Sequence, residues 1–135
     1  MLTVKTYLAK SFCDGIGIFA AEDIPKGKII WEYFPMIDIT YEELEWGYLE
    51  QNLDNKSFEN LRKYAYKEGG KYIVCTDNAQ FMNHDQNEYN VSNTTDLKSM
   101  YANRKIVKGE ELLCNYREYS DNDDYHLQIL NSLDR

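Results

Sequence analysis

The chain has 135 residues, 43% of them hydrophobic and 28% charged, with a formal net charge of −8. That length fits one domain able to bury about 65–70% of its unfolded surface, and the composition is that of a folded chain rather than a disordered one. No apolar run approaches the ~18–20 residues of a membrane helix, and the acidic balance argues against direct nucleic-acid binding, which needs a basic footprint.

By electrostatic complementarity the acidic surface favours a basic partner. The start, Met1-Leu2-Thr3-Val4-Lys5, lacks the apolar stretch and cleavage site of a signal peptide. Cys13, Cys75 and Cys114 are odd in number and contain no Cys-x-x-Cys pair. A structural zinc site and a disulfide framework are therefore not expected, which suits a reducing compartment. A cytoplasmic location follows, or a nuclear or host-directed one for a viral protein or secreted effector.

From Thr3 to Phe34 the pattern is strand-like. Thr3–Leu8 mixes β-branched and aromatic residues. Gly15-Ile16-Gly17-Ile18-Phe19-Ala20 follows a turn, and Asp23-Ile24-Pro25-Lys26-Gly27 is another. Lys28–Phe34 then reads as a strand. Between about Thr40 and Glu68 the period changes to a helical one. Thr40 with Glu43 fits a capping box. Phe58, Leu61, Tyr64 and Ala65 share a helical face. Two short helices are expected, joined around Asn52-Leu53-Asp54-Asn55, and Gly69-Gly70 ends the zone.

Strands return at Lys71–Cys75, Lys98–Lys105 and Glu110–Tyr116, with a hydrophilic loop from Asp85 to Asp96. Residues 118–124 are strongly acidic, which usually marks a solvated face. Tyr125–Leu130 fits a final short helix with Asp121–Asp124 at its favourable end. The segment Ala20–Lys28 has an echo 82 residues further along, at Ala102–Glu110. That offset is too long for a solenoid and suggests two similar hairpin-like units in one small β domain.

Taken singly, the candidate site residues have ordinary readings. Gly15-Ile16-Gly17 can let backbone approach a ligand, or it is a plain turn. It is not a dinucleotide fingerprint, since no third glycine or helix follows. His84 after Gln80-Phe81-Met82-Asn83 reads as a structural histidine, and Tyr116 as a core or edge aromatic. Some of the twelve tyrosines pack the core, or line a narrow polar pocket.

Their order changes the reading. Gly15-Ile16-Gly17, Ala21-Glu22-Asp23-Ile24-Pro25-Lys26-Gly27, a helical insert, Asn83-His84, Lys108-Gly109-Glu110-Glu111-Leu112 and Asn115-Tyr116 follow one another. This succession resembles the SET domain of protein lysine methyltransferases over about residues 3–125. The resemblance implies a mainly β, β-clip fold of small, mostly antiparallel sheets with short helices. It also implies one domain over 1–135, a helical insert at about 40–68, a pseudoknot-like C-terminal segment and a short tail at about 117–135.

It further implies that Gly15, Ile16, Gly17, Asn83 and His84 bind S-adenosylmethionine and that Tyr116 is the catalytic tyrosine. Tyr33 and Cys114 would border the lysine channel, and no metal is implied. Tyr119 or Tyr125 of the tail is expected to cover the adenine. Cys114, two before Tyr116 on the same strand face, leaves room for two or three methyl groups rather than one. The expected substrate is a Lys/Arg-rich protein such as a histone tail. A homodimer is compatible with minimal domains of this kind.

Departures from the pattern are Asp85 after Asn83-His84, Tyr89-Asn90-Val91, and Phe34-Pro35-Met36 after Tyr33. The absence of a cysteine-rich flank resembles the minimal domains of viruses and bacteria. The altered positions keep open a second class, a non-catalytic β-clip binding module like the SAF domains.

Overall fold

The computed structural model describes residues 1–133. It is built from three small sheets. Strand β1 (Thr6–Lys10) pairs antiparallel with β2 (Ile16–Ala20), Thr6 opposite Ala20 and Lys10 opposite Ile16. The connection closes with Ser11 N–H on the Gly15 carbonyl at 2.8 Å, and Gly15 takes a left-handed φ of 55°.

The largest sheet has the order β3-β9-β8-β10-β7. Its strands are β3 (Ile29–Glu32), β7 (Asn83–His84), β8 (Val91–Asn93), β9 (Ser99–Ala102) and β10 (Leu113–Cys114). The last strand in the sequence lies between two earlier ones and runs parallel to both. The other pairings are antiparallel, in keeping with the mostly antiparallel sheets expected, and this insertion is the parallel exception among the described residues. The Asn90 side chain holds the start of the inserted strand with two bonds. Its Nδ2 donates to the Glu111 carbonyl at 2.9 Å, and its Oδ1 accepts from Leu113 N–H at 2.9 Å. Asn90 is 1% exposed, so both bonds are made out of water.

The third sheet is β4 (Asp38–Tyr41), β6 (Lys71–Cys75) and β5 (Ala65–Glu68), with β6 in the middle. Helices α1 (Glu43–Asn52) and α2 (Asn55–Lys63) sit between β4 and β5 and break at Leu53-Asp54, as the sequence implies. Asp54 starts α2 by accepting Ser57 N–H at 3.0 Å. The capping box is Glu42 with Glu45, not Thr40 with Glu43. Thr40 is a strand residue opposite Ile73.

Helix also stops earlier than its period suggests. Tyr64 caps α2, and Ala65–Glu68 extend against Lys71–Val74 across Gly69-Gly70, both at positive φ. Hairpin pairing with β6 outweighs the helical spacing there. The stacked pair Trp46–Tyr72, at 4.5 Å between ring centroids, fixes α1 on this hairpin, with Phe58 beside it.

The 82-residue echo is a physical pairing. Ile24 and Ile106 exchange both backbone hydrogen bonds, at 2.8 and 2.9 Å. Gly27 N–H donates to the Ala102 carbonyl and Gly109 N–H to the Ala20 carbonyl, each at 2.8 Å. The two segments thus face each other about a local two-fold axis. Both isoleucines are fully buried with Ile18, Ile30 and Leu112, so the main core sits on this axis.

Helix α3 (Tyr125–Ser132) ends the described chain. The expected strands 98–105 and 110–116 shorten to β9 and β10. Residues 103–109 belong to the paired turn, and Glu110 and Leu112 hydrogen-bond to β2 instead.

Candidate active site

Gly17 and Glu111 meet beneath the β1–β2 connection. A Cβ on Gly17 would overlap the Glu111 carboxylate, so a side chain here requires that buried carboxylate to leave its hydrogen-bonded position. That carboxylate is buried. It accepts from Ser11 Oγ and from Phe12 N–H, and Asn83 Nδ2 lies 3.4 Å away. Asn83 Nδ2 also donates to the Asp14 carbonyl at 3.0 Å and the Ile16 carbonyl at 3.2 Å. The two glycines therefore have different causes. Gly15 supplies a left-handed turn, and Gly17 makes space for a buried acid. Asn83 then ties this loop to the inserted strand β10, where Leu113 pairs with Asn83 and Cys114 with His84.

His84 Nδ1 accepts the backbone N–H of Tyr116 at 3.0 Å. The ring proton must then sit on Nε2, which is buried and has no partner among the described residues. Burial, and then the Arg117 charge, lower the His84 pKa. The imidazole stays neutral, and Nε2–H is a buried donor free for an acceptor. Asp85 accepts Asn87 N–H at 2.8 Å and Glu88 N–H at 3.0 Å, so this departure from the family pattern builds a turn.

Tyr116 stands between this loop and a tyrosine-lined cleft. Its hydroxyl donates to the Met82 carbonyl at 3.1 Å. Burial pushes its pKa up, as it does for Tyr66 and Tyr119, so all three phenols remain protonated. Tyr119 packs edge-on against Tyr66 at 5.1 Å and against Tyr116 at 6.0 Å, with its hydroxyl 3.7 Å from Cys114 Sγ. Cys114 is 1% exposed, and burial raises its thiol to about 12. It behaves as a small apolar wall residue. Trp31, Met82 and Met100 close the deep end of the cleft.

The structure brings together Gly15, Ile16, Gly17, Asn83 and His84, with Tyr116 bonded to His84 and Cys114 beside Asn83, its Sγ 3.6 Å from the Asn83 carbonyl. Tyr119, Tyr125 and Tyr33 are placed as follows. Tyr119 lines the cleft beside Cys114 instead of lying over the Gly15–Gly17 turn. Tyr125 stacks under the Arg62 guanidinium at 4.1 Å and against His126 at 5.2 Å. Among the described residues neither ring bonds or stacks with that turn. Tyr33 is turned to Thr40, 3.1 Å from hydroxyl to hydroxyl, and Trp31 two residues earlier reaches the cleft in its place.

The cause for the tail is its carboxylates. Asp121 accepts Gly69 and Gly70 N–H, each at 2.8 Å. Asp123 pairs with the Lys67 ammonium at 2.6 Å. Asp124 accepts Lys67 N–H at 2.7 Å and caps α3 through Leu127 N–H at 3.0 Å. The tail is fastened to the β5–β6 hairpin, so these acids are not merely a solvated face.

Sequence reasoning missed Tyr66, Glu111 and the Met82 carbonyl. Tyr66 had a signal, the alternation on both sides of Gly69-Gly70 that marks a hairpin. Glu111 had none beyond its place in Gly109-Glu110-Glu111-Leu112.

The SET domain family profile matches residues 15–117. No curated protein sequence matches. Among solved structures, a Plasmodium falciparum protein provisionally assigned as a histone methyltransferase superposes with a TM-score of 0.56 and 21% identity, covering 85% of this chain and 95% of that one. Polycomb Repressive Complex 2 of Chaetomium thermophilum, in an autoinhibited conformation bound to S-adenosylmethionine, gives a TM-score of 0.63 and 22% identity over 98% of this chain. A humanized mutant of that complex bound to the inhibitor GSK126 gives 0.62 and 22% over 88%. The chain spans only 17% and 16% of those two longer chains. At these identities the likeness is one of fold.

Proposed function

The chain belongs to the SET domain family, and on that premise we propose that it is an S-adenosylmethionine-dependent protein lysine N-methyltransferase acting on a basic protein or peptide such as a histone tail. The observation that carries this reading is the position of Tyr116. It has a backbone-lined loop with a free buried donor on one side and a cleft of neutral phenols on the other.

The residues fit the cofactor. The His84 Nε2–H needs an acceptor, and apart from Gly15's chain neighbours no atom of the described residues lies within 4 Å of where a Gly15 side chain would stand. Gly15, Ile16, Gly17, Asn83 and His84 would hold it, and it would supply an electrophilic methyl group on a sulfonium. Everything else falls to this chain's residues. An amine must be neutral to attack, and a free lysine has a pKa of ~10.4. Burial among apolar walls lowers that value. The phenols of Tyr116, Tyr119 and Tyr66 stay protonated, so they orient the amine through their oxygens and do not remove its proton. The proton leaves to water through the open cleft before the amine seats. Held in line between Tyr116 and Cys114, the amine gains several kcal/mol from alignment alone.

Cys114 supports the addition of two or three methyl groups, because a thiol fills less of the cleft than a phenol would. The net charge of −8 supports a basic substrate. Of the two departures behind the non-catalytic alternative, Asp85 has a local role in a turn, and Phe34-Pro35-Met36 after Tyr33 still stands. Isothermal titration with S-adenosylmethionine, followed by methyl transfer to mixed histones with Tyr116→Phe as control, tests the reading. Binding in the micromolar range and transfer lost in the variant are expected. No binding up to millimolar concentration would overturn it.

A further inference from the structure

Strand β5 presents alternate residues to two environments. Ala65 and Lys67 are buried toward the helices, while Tyr66 and Glu68 line the cleft. Tyr66 is at the deep end, against Tyr119 at 5.1 Å. Glu68 is two residues further out, about 7 Å along the strand. That spacing is close to the length of an extended lysine side chain. A lysine lying along β5 with its amine at the three tyrosines would leave its backbone level with Glu68.

The other charged groups near this position are already engaged. Asp121 holds the Gly69 and Gly70 amides, and Asp124 holds Lys67 N–H and Leu127 N–H. His126 meets the Arg62 carbonyl at 3.2 Å, and Lys71 pairs with Glu42 at 3.3 Å. Lys63 turns its ammonium to the face of Tyr64 at 5.7 Å. The Glu68 side chain is half-buried and has no hydrogen bond or ion pair among the described residues.

We propose that Glu68 is a specificity residue of the cleft, its carboxylate pairing with an arginine or lysine adjacent to the methylated lysine of the substrate. The proposal rests on reading the chain as a lysine methyltransferase and narrows its substrate class from basic proteins to a two-residue basic motif. Partial burial, with Asp121 nearby, raises the Glu68 pKa to about 7. A bound cation favours its ionised form, so the preference should strengthen as pH rises from 6 to 8.

The test uses the full chain, S-adenosylmethionine and lysine-centred peptides whose two flanking positions are Arg, Ala or Glu. For the wild type, kcat/KM for the Arg-flanked peptide should exceed that for the Ala-flanked one about tenfold, mainly through KM. Added salt should shrink the difference. Glu68→Gln should bring the two peptides within about twofold, and Glu68→Lys should favour the Glu-flanked peptide. Thermal unfolding checks that each variant is folded. Equal rates for the wild type, or an Arg preference that survives Glu68→Gln, would overturn the role of Glu68 while leaving the methyltransferase reading intact. No transfer to any peptide, with no cofactor binding by titration, would overturn that reading and the proposal with it.

Discussion

His84 Nδ1 holds the backbone N–H of Tyr116 at 3.0 Å, so the side chain of one motif positions the main chain of another 32 residues away. The bond needs a neutral imidazole. Since burial, then Arg117, depress the folded pKa below 6.5, stability from this group is complete above pH 6.5 and is lost as pH falls through the folded value. The unfolded chain takes up the proton first. His84→Gln should flatten this acid limb of the stability curve. His84→Ala should cost about 1–3 kcal/mol by leaving the Tyr116 donor unpaired. Thermal melts between pH 5 and 8 check both, and an unchanged acid limb in His84→Gln would refute the assignment.

Gly17→Ala should destabilise by about 1–3 kcal/mol through overlap with Glu111. Part of that loss should vanish in a Glu111→Ala background, where the overlap is gone. A double-mutant cycle by urea unfolding measures the coupling. Strict additivity would show that the glycine is needed for some other reason.

Asp124→Ala removes the α3 cap and the partner of a buried Lys67 amide together. It should cost about 2–4 kcal/mol. Asp54→Ala, at the exposed cap of α2, should cost less. Equal midpoints for the two variants in chemical denaturation would contradict the fastening of the tail.

Glu68 carries an opposite pH signature. Its folded pKa is raised from 4.5 to about 7, so its stabilising contribution is present below pH 4.5 and is lost as pH rises through 7. Glu68→Gln should melt higher than wild type at pH 8 and alike at pH 4.5. The reverse order at pH 8 would mean the carboxylate has a stabilising partner in the folded chain.

On the proposed reading, Cys114 sets how many methyl groups fit. The wild type is expected to give di- or trimethylated product by mass spectrometry. Cys114 is 1% exposed, so Cys114→Tyr alone would overpack the site. Pairing it with Tyr119→Ala vacates the neighbouring volume and returns a phenol beside the amine. That double variant should stop at one methyl. A wild type that stops at one would refute the size argument.

What was legible in the sequence was whatever depends on neighbours along the chain. The break between α1 and α2 followed from Asp54 at a cap, and the turn ending at Gly27 from Pro25 with a glycine. The ordered motifs carried the family, because each is a short local segment. The 82-residue echo announced a pair of like turns, although only the fold revealed that they hydrogen-bond to each other. Tertiary structure decided the rest. Ala65–Glu68 became a strand because β6 lay ready to pair with it. β10 ran parallel because it was inserted between two strands already in place. Tyr119 and Tyr125 took their places because Asp121, Asp123 and Asp124 found donors on the β5–β6 hairpin. The insertion of β10 and the fastening of the tail rest on partners 23 to 57 residues distant, and residue type alone does not say which distant donor an aspartate will meet.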